Sequence, residues 1–123
     1  MKFQLDQAEG VNAITRVAPG QVWVQDHLHE QSVLVPWRGT VQAWAPRRFE
    51  ELEPAHFEAI LALQPELVIL SSGAKLRFTH PSLYRSLIEA RVGIETMDLN
   101  AASRTYTVLA GEGRKVVAAL LLA

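Results

Sequence analysis

The last eight residues of the sequence, Val116–Ala123 (VVAALLLA), carry no polar side chain. A bilayer-spanning helix needs roughly 20 apolar residues, so this run is too short to cross a membrane. An uninterrupted apolar segment of this length is expected as a strand buried on both faces, interior to a sheet with cover on each side. That requirement narrows the fold to a layered α/β arrangement.

The segment ahead of the run reads as a helix. Asn100 is the expected N-cap, since its side-chain oxygen can accept a free amide of the first turn. Ala102, Thr105, Tyr106, Leu109 and Gly113 follow helical spacing and define the expected inner face. Gly111 and Gly113 mark the C-terminal end, where a left-handed residue is cheap. Arg104 lies in the first turn and Glu112 in the last, both opposed to the helix dipole. Eight residues separate them by about 12 Å along the axis, too far to neutralise each other. Each is therefore expected to have another partner. One reading is a salt bridge to a nearby loop. The other is that Arg104, with free amides at the helix start, holds a small anion.

The rest of the second half alternates. Leu67–Leu70 is a short apolar strand. Pro81 can open a helix whose inner face is Leu83, Leu87, Ile88 and Val92, closed by Gly93. Ile94–Met97 is another strand. This strand–helix–strand–helix–strand order implies at least two parallel strands. Ligands of such sheets gather beyond the carboxyl ends of the strands. Ser71, Ser72, Gly73 and Ala74 fall there, and Arg104 is expected on the same rim, with Lys75, Arg77 and His80 in reach.

The first half reads differently. Residues 1–12 are expected to be partly extended. Ala13–Val17, Val22–Val24, Ser32–Val35 and Thr40–Trp44 are short strands separated by turn signals, as in a small antiparallel sheet. His27–Gln31 is read as a polar connector. Ala45–Glu53 is a charged connection, and Pro54 opens a helix ended by Pro65. The expected whole is one domain over 1–123: a three-layer α/β fold with a mixed central sheet flanked by helices, plus an N-terminal antiparallel β layer.

Composition sets further bounds. With 49% apolar residues the chain can fill one core, and its formal charge of −1 gives no reason to expect nucleic acid. It has no cysteine, which removes disulfides, thiolate catalysis and thiolate metal sites and fits a reducing cytoplasm. The N-terminus MKFQLDQAEG lacks the apolar stretch of a signal peptide, and a free-standing cytoplasmic protein without membrane insertion is expected.

No strong catalytic motif is present. Only Gly73 stands where a phosphate-binding or dinucleotide fingerprint needs several glycines. There is no G-x-S-x-G elbow. Ser71 or Ser72 could be grouped with His80 and Asp98 as a hydrolytic triad, but no spacing demands it. His27 and His29 have the spacing of two ligands on one strand face, yet no third ligand is close in sequence, and no metal or cofactor is expected.

Two segments, LVILSSGAKLRFTHP and IETMDLNAASRTYTVLAGEGRKVVAALLLA, with SVLVPWRGTVQAW upstream, resemble a family of unknown function. That family includes the mitochondrial respiratory complex I assembly factor 3 and many small bacterial and archaeal proteins. The most specific part is an alanine-rich helix start, Arg104-Thr105-Tyr106, and a closing Glu112-x-Arg114. The chain departs from the family pattern with Ser71-Ser72-Gly73 in place of Gly-Thr-Gly, Ser103 in place of Cys, and Thr107 in place of Asn. The resemblance implies a three-layer α/β domain and no established enzyme activity. For mitochondrial members it implies binding to another assembly factor and to an early complex I intermediate. The resulting expectation is a non-enzymatic protein-interaction or assembly module with an unidentified protein partner. The alternative is a small-anion or metabolite binder using Ser71, Ser72, Gly73, Ala74, Arg104, Thr105, Glu112 and Arg114. A hydrolase ranks last.

Overall fold

The computed structural model describes residues 10–123. The extended stretch expected over residues 1–12 therefore lies, for residues 1–9, outside the described part. Eight strands and three α-helices follow in order. They are β1 (Ile14–Ala18), β2 (Gln21–Val24), β3 (His27–His29), β4 (Val33–Pro36), β5 (Gln42–Ala43), α1 (Pro54–Leu61), β6 (Leu67–Ser71), α2 (Arg85–Glu89), β7 (Gly93–Met97), α3 (Leu99–Gly111) and β8 (Val116–Leu120). Short 3-10 turns at Phe49–Glu51 and Pro81–Tyr84 precede α1 and α2.

The strands form two sheets. A five-stranded mixed sheet has the order β5-β4-β8-β6-β7, and a three-stranded antiparallel sheet has the order β1-β2-β3. In the larger sheet β8 is central. It runs parallel to β6 in the register Leu67↔Val116 to Ser71↔Leu120, and antiparallel to β4. Its alternation sends Val116, Ala118, Leu120 and Leu122 into one core and Val117, Ala119 and Leu121 into another. An apolar run without polar interruption is what a strand between two cores requires.

Those two cores define the layers. On one side, Phe57 and Ile60 of α1 and Leu87 of α2 pack with Trp44 and Leu52 against Val68, Leu70 and Leu34. On the other side lie α3, through Leu99, Ala102, Tyr106 and Ala110, and the small sheet, through Ile14, Val22 and Val24. The antiparallel layer and α3 thus share one face of the central sheet. The α/β architecture anticipated from the sequence is the one found.

Several local readings need correction. α3 starts at Leu99, and Asp98 caps it: its carboxylate accepts from the Ala101 amide at 2.9 Å. Asn100 lies inside the first turn and is exposed. A carboxylate at the N-cap combines amide capture with the favourable dipole sign, which the neutral Asn100 lacks. His27–His29 is not a connector but the edge strand β3; a strand bonded on one side can carry polar residues that give no apolar signal. Ile88 is 54% exposed, off the inner face expected for it. The segment from Pro81 is a 3-10 turn followed by only five α-helical residues, so the 3.6-residue spacing does not run through it. Arg91, with φ 61°, takes the left-handed position expected near Gly93.

Candidate functional site

The carboxyl ends of β6, β7 and β8 form a rim closed by the backbone itself. The Ser72 amide donates to Met97 O at 2.9 Å, Leu99 N to Gly73 O at 2.9 Å, and Leu121 N to Ser71 O at 3.3 Å. Ser71 and Ser72 are buried and their hydroxyls are committed. Ser71 Oγ donates to Leu121 O at 2.8 Å and accepts from the Gly73 amide at 3.1 Å. Ser72 Oγ donates to Lys75 O at 2.6 Å and accepts from the Arg77 amide at 2.9 Å. Gly73 has φ +107°, and a Cβ built there would collide with the backbone oxygen of Ala123. Glycine is thus required twice over, by conformation and by the close approach of residue 123. Ala74 is exposed and borders a cavity of about 240 Å³ with Leu99, Asn100, Leu122 and the Val17–Gly20 turn.

The hydrolytic grouping is not assembled. Neither serine hydroxyl bonds His80, whose Nδ1 accepts from the Ser82 amide at 3.1 Å and lies 2.9 Å from Ser82 Oγ. Asp98 is the cap of α3. Arg77 is held at the α1 side, 2.7 Å from Glu50 and stacked 4.4 Å over the Phe49 ring. This arginine, first among other contacts, keeps the Glu50 carboxyl below its usual range. His27 and His29 lie on one face of β3; partial burial first, then the charge of His27, lowers the His29 pKa. Among the described residues no three His, Cys, Asp or Glu side chains are placed to share a metal ion.

Arg104 stands in a different, adjoining groove of about 470 Å³ between α3 and β1. Asn100, Ser103, Arg104, Thr107 and Val108 line it from the helix and Ile14–Val17 from the strand. Asn100 and Val17 also border the smaller cavity, so the two depressions are neighbours. The structure thus places Arg104 with Asn100 and β1, not in one lining with Ser71, Ser72 or Gly73. Arg16, Ser103 and Thr107 were not among the candidates picked from the sequence. The signal for Ser103 and Thr107 was the spacing 100, 103, 104, 107, 108, a single helical stripe, which does not extend to Arg16 on β1. The partners expected for Arg104 and Glu112 are absent: among the described residues neither side chain has an ion pair. Both are exposed. Because α3 starts at Leu99, Arg104 lies past the first turn in which it was expected, where the dipole effect has faded, and only Glu112 at the C-cap keeps a conflict of about 0.3–1 kcal/mol, screened by water.

The rest of the Arg104–Arg114 motif serves the fold. Tyr106 is fully buried, and its hydroxyl lies 2.9 Å from both Asn12 O and Pro36 O. Asn12 Nδ2 in turn donates to Pro36 O and Gly39 O, each at 2.8 Å. The Ile14 amide donates to Thr107 Oγ1 at 3.2 Å. α3 is thereby fastened to the start of β1 and the end of β4. Thr105 is half-buried beside them. Glu112 and Arg114 sit at the opposite end of the helix, about 20 Å from its start at 1.5 Å per residue. Arg114 pairs there with Glu66 at 3.3 Å. The Lys115 amide, then Arg114, holds the Glu66 carboxyl below its usual range.

Comparison with known proteins follows the same outline. The chain matches mouse NADH dehydrogenase [ubiquinone] 1 alpha subcomplex assembly factor 3 with 29% identity over 91 residues, 72% of this chain and 48% of the relative. It spans about half the length of the curated relatives it matches. A crystal structure of a Bordetella parapertussis protein superposes with a TM-score of 0.88 at 30% identity, covering 93% of this chain and 98% of that one. The solution structure of a Mth938-like domain from Bordetella pertussis superposes with a TM-score of 0.81 at 25% identity, covering 91% and 86%. The family described as "Protein of unknown function (DUF498/DUF598)" matches residues 14–121, and the chain belongs to that family.

Proposed function

We propose that this chain is a single-domain, non-enzymatic interaction module that helps assemble a multisubunit protein complex. The observation that carries the reading is its similarity to complex I assembly factor 3. A second support is the fate of the would-be nucleophiles, since Ser71 and Ser72 are buried and bonded into the rim. No helix among the described residues is long and apolar enough to cross a membrane. The module works from the cytoplasm through a protein partner.

The test is to disrupt the gene in its own cell and follow NADH:ubiquinone oxidoreductase on native gels. The module predicts accumulation of a subcomplex and recovery of the full complex on re-expression. Unchanged assembly in the disrupted strain refutes it. A second reading, binding of a small anion through Arg104, has its own support in the groove between α3 and β1.

A further inference from the structure

β7 ends the five-stranded sheet, and one of its two edges has no neighbouring strand among the described residues. The bonds from Gly93 N to Glu66 O (3.1 Å) and from Ser72 N to Met97 O (2.9 Å) turn residues 93, 95 and 97 toward β6. Strand alternation then aims the amide and carbonyl of Ile94 and of Thr96 outward, a row of free backbone groups. The other sheet edges are less open. β5 has two residues and β3 has three, and β1 is fastened to α3 through the Ile14 amide. β7 has five residues in unbroken register, without the lysine, proline or bulge that usually blunts an edge.

The side chains around this edge define what it accepts. Ile94 and Thr96 share the face of Val68 and Leu70, on the α2 side, and Glu95 shares the face of Ile69, on the α3 side. Glu95 is exposed and has no ion pair among the described residues. On α2, Leu87 is buried in the core, while Ser86 and Glu89 line a groove with Pro54 and Glu58 of α1. Helical spacing leaves Ile88 on the flank away from α1, the side on which β7 ends the sheet. Ile88, 54% exposed, is the uncovered apolar wall of that flank. A second copy of this chain fits the edge poorly. Antiparallel pairing of β7 with itself in full overlap sets the two Glu95 side chains opposite each other, and like charges there destabilise a ladder.

We propose that the β7 edge takes up an extended segment of a protein partner as an added antiparallel strand, with a Lys or Arg opposite Glu95 and an apolar β-branched residue on each side of it. The partner's backbone pairs with the outward groups of Ile94 and Thr96, as in recognition by strand addition. Its basic residue meets Glu95, and its apolar residues cover Ile94 and Ile88. This site deepens the interaction-module reading, on which it rests, by naming the surface and the chemistry of the partner.

The test titrates the full chain with acetyl-Thr-Val-Lys-Val-Thr-amide and with the same peptide carrying Glu in place of Lys, followed by NMR and amide hydrogen exchange. In the free chain the Ile94 and Thr96 amides should exchange fast and those of Glu95 and Met97 slowly. The lysine peptide is expected to give saturable shifts over Gly93–Met97 and to slow Ile94 and Thr96 selectively. The glutamate peptide should bind about 3- to 10-fold more weakly, and Glu95→Lys should reverse that order. Thr96→Pro removes one outward donor, a change an edge strand tolerates, and should abolish binding at an unchanged unfolding temperature. Glu95→Lys, at an exposed position, carries the test if the proline unfolds the chain. No saturable shift at β7, or equal affinity for the two peptides, overturns the proposal. Protection of Ile94 and Thr96 that rises with protein concentration overturns it in favour of a second copy. In the disrupted strain the wild-type chain should restore the full complex and folded Thr96→Pro should not. Restoration by Thr96→Pro overturns the edge site and leaves the assembly reading standing. Unchanged assembly on disruption removes the assembly reading, and the peptide titration still decides the edge.

Discussion

Replacing Tyr106 by Phe isolates the fastening of α3 to the rest of the fold. The ring stays buried, so the apolar contribution is kept and only the hydroxyl is lost. That hydroxyl faces two carbonyls at 2.9 Å, but its single proton serves one at a time. Pro36 O keeps its 2.8 Å bond from Asn12 Nδ2, while Asn12 O loses its bond from the tyrosine. The expected cost is about one net hydrogen bond plus part of the desolvation of a half-buried carbonyl, roughly 1–2 kcal/mol. For an m-value on the order of 1–3 kcal/mol/M the urea midpoint should fall by about 0.5–1 M, with the slope unchanged. pH gives an internal control. Burial pushes the Tyr106 pKa above its usual value of about 10. The folded state therefore holds that proton more tightly than the unfolded chain. Its stabilisation is complete below about pH 10 and is lost as pH rises toward the folded pKa. Tyr106→Phe lacks this loss, so the gap between wild type and variant should narrow above pH 10. A midpoint equal to wild type at neutral pH, or a gap constant into alkali, refutes the account.

Two other substitutions probe the same frame. Leu120→Ala, at a fully buried position in the centre of β8, should cost about 2–5 kcal/mol in chemical denaturation, and a cost below about 1 kcal/mol would remove β8 from the core. Asp98→Ala should lose about 0.5–2 kcal/mol while Asn100→Ala changes little; the reverse ranking would return the cap to Asn100.

The parts of the fold that showed in the sequence are those where one residue pattern has one physical solution. Val116–Leu120 is buried on both faces, and an uninterrupted apolar run has few other uses. The alternation of strands and helices after Pro65 likewise leaves a parallel sheet as the economical arrangement. What failed depended on neighbours distant in sequence. β3 is a strand because β2 pairs with it, not because His27-Leu28-His29 favours one. Ile88 is exposed because α2 is too short to sustain the face. The rim serines looked available because their acceptors, Leu121 O and Lys75 O, are backbone groups that no motif records. Half of the groove was legible in the helical stripe through Ser103 and Arg104. Its other half, the strand carrying Arg16, lies almost ninety residues away by subtraction of the two positions.

The central place of β8 has a consequence for synthesis. Residues 116–120 leave the ribosome after every other strand of the described chain, yet they fill the slot between β4 and β6. Until then β4–β5 and β6–β7 are two separate ribbons, each offering an unpaired strand edge to any neighbour. A stalled or truncated nascent chain is thus a ready substrate for chaperones or for pairing with another copy of itself. Completion is a zipping step in which one late segment joins both ribbons at once.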